Sequence, residues 1–315
     1  MLEDVERWLT ERSWSVSDRP LRQLVAAKRA AGASVSVVLP ALDEEETVGE
    51  IVAVIRRELM TRSVPLVDEL VVIDSGSTDR TAEVASAAGA RVVHRDEILP
   101  RLPAVPGKGE VLWRSLLVTG GDIVCFVDAD LREFSADFVS GIVGPLLTEP
   151  EVQFVKAMYD RPLGSAEGQG GRVTELMARP LLNMHWPLLA GFVQPLGGEY
   201  AVRRGLLERL PFPVGYGVEL GLLVDALHTV GLDALAQVDV GVRKHRHQDG
   251  QALGRMAAAI YRTAQLRLAR GHLVRPELTQ FERGESGFEP RTYRVDTEER
   301  PPMADISEYA TRRVA

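Results

Sequence analysis

The sequence predicts an α/β protein whose mainly parallel central sheet is flanked by helices. In its first half, short β-branched and apolar segments alternate with segments of helical periodicity, which is typical of successive βα units. One of these segments, 123–127, contains only apolar residues, so we expect a strand that is buried on both faces. Helical patterns outside the βα region predict N-terminal and C-terminal additions to the sheet.

The βα pattern is clear in the first half of the chain and weaker in the second. Crossovers of this length join parallel strands. The predicted strands of the first half are 34–39, 68–73, 91–94 and 123–127, with helices at 47–59, 81–88 and 110–118. In the second half we expect strands at 151–159 and 235–242, a short strand after the turn at 195–198, and helices at 172–180, 220–230 and 256–268.

Shifts in composition divide the chain into three parts. Residues 1–33 predict a helical extension. Residues 34–281 predict one α/β domain with halves at 34–150 and 151–281. Residues 282–315 are polar and rich in charge, and we expect a loosely ordered tail there.

Composition excludes several classes of protein. The formal net charge is −8, so nothing attracts the whole chain to nucleic acid or to an anionic membrane. No segment has the roughly 18 consecutive apolar residues of a membrane span. The single cysteine, Cys125, precludes an intrachain disulfide, and the acidic first residues lack the apolar stretch of a signal peptide. We therefore expect a cytoplasmic protein that binds neither nucleic acid nor membrane.

Two carboxylates, Asp128 and Asp130, directly follow the apolar run. The carboxyl end of a parallel strand is where open α/β sheets bind ligands. The pair fits a Mg²⁺ or Mn²⁺ site that also holds a diphosphate, in a transferase, a phosphohydrolase or a nucleotidyltransferase. A nucleotide-binding module without catalysis, or simple capping of the next turn, fits as well. A dinucleotide-dependent dehydrogenase is disfavoured because residues 40–44 lack the Gly-x-Gly-x-x-Gly turn.

Three further segments are candidates for binding anions or metal. Lys108 lies between two glycines, where backbone and ammonium could both approach a phosphate. Arg172 and Thr174 begin a predicted helix after a glycine pair, and helix N-termini bind anions. Residues 243–247 are basic and contain two histidines, a frequent metal-ligand type. A surface lysine, an ordinary helix cap and a solvated basic turn are the respective alternatives.

Several of these segments together resemble known enzymes. Residues 37–45, 68–79 and Asp128-Ala129-Asp130 resemble the GT-A glycosyltransferases. Segments throughout 34–281 are similar to the glucosyl-3-phosphoglycerate synthase family of actinobacteria. The segments that carry this second resemblance are 106–115, 171–176, 194–201, 215–223 and 241–246.

The resemblance implies a GT-A fold with a nucleotide-binding half, an acceptor-binding half and a homodimeric assembly. It implies a hexosyltransferase that moves glucose from UDP-glucose to the 2-hydroxyl of 3-phosphoglycerate, retains the anomeric configuration and uses Mg²⁺ or Mn²⁺. The alternatives are a mannosyl-3-phosphoglycerate synthase using GDP-mannose and a metal-dependent nucleotide-sugar hydrolase. We expect attack on the same face that the leaving group departs from, since no carboxylate is clearly a nucleophile.

The resemblance also implies roles for individual residues. The metal ligands would be Asp130 and His245, and the catalytic residues would be Asp130, Glu219 and Lys108. The nucleotide sugar would contact Pro40, Ala41, Leu42, Asp43, Glu44, Ser75, Lys108, Asp128, Ala129, Tyr216, Gly217, Val218 and Glu219. The acceptor would contact Gly171, Arg172, Val173, Thr174 and His247.

This sequence departs from the family pattern at three places. His247 stands where we expect asparagine, and an imidazole could make acceptor binding sensitive to pH. Asp43 replaces another expected asparagine at a helix start. The loop 161–171 is shorter than we expect.

Overall fold

The computed structural model describes residues 2–161, 171–244, 250–268, 277–284, 287–295 and 298–314. The loop 162–170, His245 and His247 therefore lie outside the described residues. Within the described ranges, no helix has the length and apolar character needed to cross a membrane.

The predicted α/β class is confirmed. Eight of the described strands form one sheet in the order β1-β9-β6-β7-β5-β2-β3-β4. Neighbours are parallel except β7, which runs antiparallel to both β5 and β6. The strands are β1 (Ser13–Ser15), β2 (Val35–Ala41), β3 (Glu69–Asp74), β4 (Arg91–His94), β5 (Ile123–Phe126), β6 (Phe154–Asp160), β7 (Tyr200–Arg203), β8 (Phe212–Pro213), β9 (Leu235–Val242), β10 (Glu277–Gly284), β11 (Gly287–Arg294) and β12 (Glu299–Arg300).

Helices cover both faces of the sheet. Val37 and Leu39 of β2 pack on one face, whereas Val38 packs on the other, so this strand is buried on both faces as its composition predicts. The helices are α1 (Glu3–Arg12), α2 (Leu21–Ala31), α3 (Val48–Leu59), α4 (Thr81–Ala87), α5 (Lys108–Val118), α6 (Asp137–Thr148), α7 (Arg179–His185), α8 (Arg204–Leu207), α9 (Val218–Val230), α10 (Gly250–Leu268) and α11 (Ser307–Val314). The core on one side includes α3 and α6, and that on the other includes α5 and α9.

The N-terminal extension is more than helical. Residues 13–15 form β1, which pairs in parallel with β9 at the edge of the central sheet. Trp8 is fully buried, and its indole N–H donates to the Leu235 carbonyl at 2.7 Å. The predicted helices are present as α1 and α2, but the prediction missed β1, because three residues are too few to produce a periodic signal.

The prediction of a loosely ordered tail from residue 282 is also wrong. Strand β12 pairs with β8, and Met303 and Tyr309 are buried in the core that contains α5. The boundary that we placed at 281/282 falls inside β10, which forms a hairpin with β11. Composition failed because a few apolar anchors are spaced among many charges, so their average resembles a disordered segment.

The C-terminal segment holds the start of α5 through a buried ion pair. Arg300 donates to both carboxylate oxygens of Glu110, at 2.7 and 2.9 Å, and Arg114 donates to the same carboxylate at 2.7 Å. The Glu110 side chain is fully buried, and the Trp113 indole N–H donates to the Pro301 carbonyl at 2.9 Å. Since Lys108 begins the same helix, the tail fixes the position of a candidate site residue.

Replacing Arg300 with alanine is expected to lower the free energy of unfolding by about 2–3 kcal/mol, because a buried carboxylate loses a bidentate partner but keeps Arg114. Urea unfolding followed by circular dichroism measures this change. The control is Arg209→Ala, which removes an exposed guanidinium that donates to the Gly205 carbonyl four residues earlier, and it should change stability by less than about 0.5 kcal/mol. Equal stabilities of the two variants would contradict this role for the tail.

Candidate active site

The site lies at the edge of the sheet where the parallel strands β2, β3 and β5 end. A cavity of about 860 Å³ opens at this edge. Fifteen of the residues predicted from the sequence line it: Pro40, Ala41, Leu42, Glu44, Ser75, Lys108, Asp128, Ala129, Asp130, Gly171, Arg172, Val173, Thr174, Tyr216 and Glu219. The structure thus brings together residues from both halves of the domain.

Three predicted donor residues do not line the cavity. The Asp43 carboxylate accepts from the Thr78 backbone N–H at 2.7 Å, so it ties the loop after β2 to the loop after β3. Its φ of 56° lies in the left-handed region, which asparagine and aspartate tolerate better than most residues. Gly217 and Val218 follow Tyr216 in the chain at the start of α9, and a Cβ at Gly217 would overlap the Thr263 hydroxyl of α10. These positions shape the walls of the cavity instead of lining it.

Lys108 connects two of the predicted site acids. Its ammonium pairs with the Asp128 carboxylate and with Glu219 Oε1 at 2.8 Å. Burial alone would lower the pKa of Lys108, but these two carboxylates hold its pKa well above the usual value. The lysine stays charged at any physiological pH, so a fixed cation stands between the end of β5 and the start of α9.

Asp128 and Asp130 have different environments although they are one residue apart. Burial opposes ionisation of Asp128, but Lys108 and Arg243 outweigh it and lower the pKa to about 2. Burial raises the pKa of Asp130, and among the described residues its ion-pair partner is Arg243 alone, at 3.2 Å. Asp128 is therefore saturated by protein cations, whereas the Asp130 carboxylate is the one that a further cation would stabilise.

The residues present fit a divalent cation. Among the described residues no group of three or more His, Cys, Asp or Glu side chains could enclose a metal. Mg²⁺ and similar hard cations usually take one or two carboxylates and complete their shell with phosphate and water oxygens. Asp130 supplies such an oxygen at the cavity wall. His245, the other predicted ligand, lies outside the described residues.

The segment predicted to hold the acceptor begins a helix at the cavity. Gly171 has a φ of 76°, and its carbonyl accepts from the Glu175 N–H at 3.0 Å. Thr174 is buried and starts a π-helical turn that runs to Ala178. Wider turns of this kind often mark functional sites. The predicted helix start is thus present, with Arg172 and Thr174 at the cavity wall.

The sequence did not single out several basic residues of the cavity. Seven described basic side chains and four acidic ones line it, a formal excess of three positive charges in a chain of net charge −8. The basic residues are Arg95, Lys108, Arg161, Arg172, Arg243, Arg255 and Arg294. Arg255 and Arg294 come from α10 and β11, far from any recognised motif, so only the folded chain reveals them. This excess suits anionic ligands.

Comparison with known proteins identifies glycosyltransferases as relatives of this chain. Residues 36–187 match the family described as Glycosyl transferase family 2. The chain is 50% identical over 304 residues to glucosyl-3-phosphoglycerate synthase of Mycolicibacterium smegmatis, an alignment that covers 95% of this chain and 98% of that one.

Solved structures are similar over the same length. Glucosyl-3-phosphoglycerate synthase from Mycobacterium tuberculosis, in complex with Mn²⁺, uridine diphosphate and phosphoglyceric acid, superposes with a TM-score of 0.83 at 48% identity, covering 90% of this chain and 94% of that chain. Mannosyl-3-phosphoglycerate synthase from Rubrobacter xylanophilus superposes with a TM-score of 0.89 at 39% identity, covering 96% and 99%. The predicted GT-A fold is therefore confirmed. Identity at this level over nearly the full length of both sequences shows that the chain belongs to the glucosyl-3-phosphoglycerate synthase family.

Proposed function

We propose that the protein transfers glucose from UDP-glucose to the 2-hydroxyl of 3-phosphoglycerate and releases UDP. The observation that carries this proposal is a cavity whose lining combines the ion-paired Asp128–Lys108–Glu219 cluster with an excess of positive charge. Both substrates are anionic, and a positive cavity in an acidic protein attracts them locally. The relatives of similar length, which carry the synthase name, support the same reaction.

We assign the donor to the ends of β2, β3 and β5. Leu42 is exposed and could pack on the uracil base, and Ser75, the residue after β3, lines the same cavity. Lys108 would bind the diphosphate, and Glu219, which is fixed by Lys108 at 2.8 Å, would accept hydrogen bonds from the sugar hydroxyls. A Mg²⁺ or Mn²⁺ ion bound at Asp130 would supply electrostatic stabilisation of the departing diphosphate.

We assign the acceptor to the helix that begins at Arg172. The first amides of a helix and a guanidinium together suit the phosphate and carboxylate of 3-phosphoglycerate. Thr174 is buried against the cavity and could hold the acceptor by its hydroxyl. The predicted contact of His247 stays a prediction, because that residue lies outside the described part of the chain.

We propose that the reaction retains configuration by attack on the face from which UDP leaves. Double displacement would need a nucleophilic carboxylate beside the anomeric carbon. Glu219 is the acid that we assign to the sugar, and its ion pair with Lys108 reduces its nucleophilicity. In same-face attack the acceptor hydroxyl gives its proton to the departing phosphate, and the chain serves to hold both substrates. A glucosyl-enzyme adduct detected by mass spectrometry would refute this mechanism.

Cytoplasmic location and a homodimer are further parts of the proposal. The buried Cys125 is the only cysteine in the sequence, which suits a reducing compartment. Leu176, Met184 and Val193 are large apolar side chains exposed on or beside α7, and such surfaces often contact a second subunit. Light scattering after size exclusion measures the mass of the assembly.

Mannosyl transfer from GDP-mannose is the second candidate, because the Rubrobacter xylanophilus protein of that name is similar along its whole length. The two donors differ in base and in one sugar stereocentre, which only a few hydrogen bonds discriminate. A third candidate, hydrolysis of the nucleotide sugar, needs no acceptor.

One assay separates these candidates. The purified protein, with Mg²⁺ or Mn²⁺, is given UDP- and GDP-sugars with and without 3-phosphoglycerate, and products are identified by mass and by sugar analysis. We expect kcat/KM for UDP-glucose to exceed that for GDP-mannose at least about tenfold, the size of one or two lost hydrogen bonds. Faster turnover of GDP-mannose would establish the second candidate, and release of free sugar without acceptor would establish hydrolysis.

A further inference from the structure

A buried chain of polar groups lies beneath the two aspartates of the cavity. The Tyr159 hydroxyl donates to Glu199 Oε2 at 2.7 Å, and Arg243 Nε donates to Glu199 Oε1 at 2.9 Å. Tyr159, Glu199 and Arg243 are exposed by 3%, 0% and 2%. None of the roles assigned above uses Glu199, although a fully buried carboxylate is costly unless its partners hold it.

Arg243 links the buried Glu199 to the two aspartates of the cavity. Its Nη2 donates to Asp128 Oδ2 at 2.8 Å and approaches Asp130 Oδ1 at 3.2 Å. Because a guanidinium is planar and rigid, fixing Nε at Glu199 also fixes the nitrogen that faces the two aspartates. The separation and orientation of the Asp128 and Asp130 carboxylates therefore depend on a residue that does not line the cavity.

Glu199 also determines the charge of this cluster. The Arg243 guanidinium faces three carboxylates, those of Glu199 at 2.9 Å, Asp128 at 2.8 Å and Asp130 at 3.2 Å. Without Glu199, the arginine would neutralise the aspartates that must attract a cation. With Glu199 in place, the arginine has its own counter-ion, and the aspartates keep more of their negative potential.

We infer that Glu199 is a positioning residue that, acting through Arg243, strengthens the binding of a divalent cation at Asp130. The inference rests on the proposed function, since it assumes that Asp130 is a metal ligand. Replacing a group that holds a metal ligand in position through hydrogen bonds typically lowers metal affinity 10- to 100-fold.

The test compares Mn²⁺ binding with UDP binding. The Glu199→Gln substitution keeps the shape of the side chain but removes one negative charge. The positive charge of Arg243 is then balanced by the two aspartates alone among these three partners. We expect Mn²⁺ in the presence of UDP to bind roughly 10- to 100-fold more weakly, as measured from free Mn²⁺ by electron paramagnetic resonance. UDP binding in EDTA, measured by calorimetry, should be unchanged or tighter, because the cavity has become more positive.

Two further variants separate positioning from a general loss of structure. Tyr159→Phe removes one hydrogen bond and leaves the charge, so we expect a smaller loss of Mn²⁺ affinity, about two- to tenfold. Glu208→Gln is the matched control, because Glu208 is also buried and accepts a tyrosine hydroxyl, that of Tyr309, at 2.8 Å, whereas Arg243 pairs with Glu199 and with the two aspartates. Its Mn²⁺ affinity should equal that of the wild-type protein.

Wild-type Mn²⁺ affinity in Glu199→Gln would overturn the inference and leave the proposed function standing. Equal losses of Mn²⁺ binding and of metal-free UDP binding would also overturn it, since they would indicate a collapsed cavity. Failure of the wild-type protein to bind Mn²⁺ with UDP would instead refute the proposed function and the inference with it.

Discussion

Asp130→Asn is expected to reduce kcat about 10²- to 10³-fold and to abolish measurable Mn²⁺ binding in the presence of UDP. The amide has the shape of the carboxylate but no charge, so the cation loses its assigned protein ligand at this wall. The fold should persist, because the described ion-pair partner of Asp130 is Arg243 at 3.2 Å, and an amide oxygen can still accept from it. Steady-state kinetics with UDP-glucose, 3-phosphoglycerate and a range of Mn²⁺ concentrations measure the effect.

The control for this variant is Asp239→Asn. Asp239 is exposed on β9 outside the cavity and accepts from the Gly241 N–H at 2.9 Å. We expect wild-type kinetics from it. Treatment with EDTA should inactivate the wild-type protein to the level of Asp130→Asn, and Mn²⁺ should restore only the wild type. Full activity of Asp130→Asn would remove the metal from the proposed mechanism.

Gly198→Ala is expected to reduce kcat/KM for UDP-glucose about 100-fold, the effect of displacing reacting groups by roughly 1 Å. A Cβ at this position would overlap the Asp128 carboxylate and the Lys108 ammonium. The overlapped atoms belong to side chains and not to backbone, so the fold can yield at a cost below about 3 kcal/mol. The groups that yield, however, are the ones assigned to the nucleotide, and activity should fall far more than stability.

Gly205→Ala provides a close comparison for this variant. Gly205 is exposed in α8, and no heavy atom lies within 4 Å of a Cβ built there. We expect wild-type activity and a free energy of unfolding that is equal or higher by up to about 1 kcal/mol. Activity and thermal unfolding of both variants are measured side by side. Similar activity in the two would show that the contact between Gly198 and the Asp128–Lys108 pair is not needed for turnover.

The sequence predicted the α/β class and most of the sheet because local signals and tertiary packing agree there. The run 123–127 contains only apolar residues, and β5 is buried throughout. A glycine in the left-handed region marks the end of α2 at Gly32. Where such signals were short or diluted, in residues 13–15 and 299–314, the prediction was wrong.

The cavity was predicted in part for a similar reason. Asp128, Asp130 and Lys108 lie in short motifs whose chemical role can be inferred from the order of residues in the sequence. Asp43 stands in such a motif too, but the structure places its carboxylate on the loop after β3 and not at the cavity. A motif identifies which segments meet, whereas the direction of each side chain depends on backbone angles that the sequence pattern does not give.

The sequence alone determined the α/β class, seven of the eight strands of the central sheet, the acidic pair at the end of β5 and the resemblance to a family of transferases. Only the tertiary structure decided that Arg300 holds Glu110 and that Glu199 holds Arg243, which in turn faces Asp128 and Asp130. These partners are 190, 44, 115 and 113 residues apart along the chain. Periodicity and capping report on neighbours within a few residues, whereas the pairing of buried charges depends on which groups share a low-dielectric interior after folding.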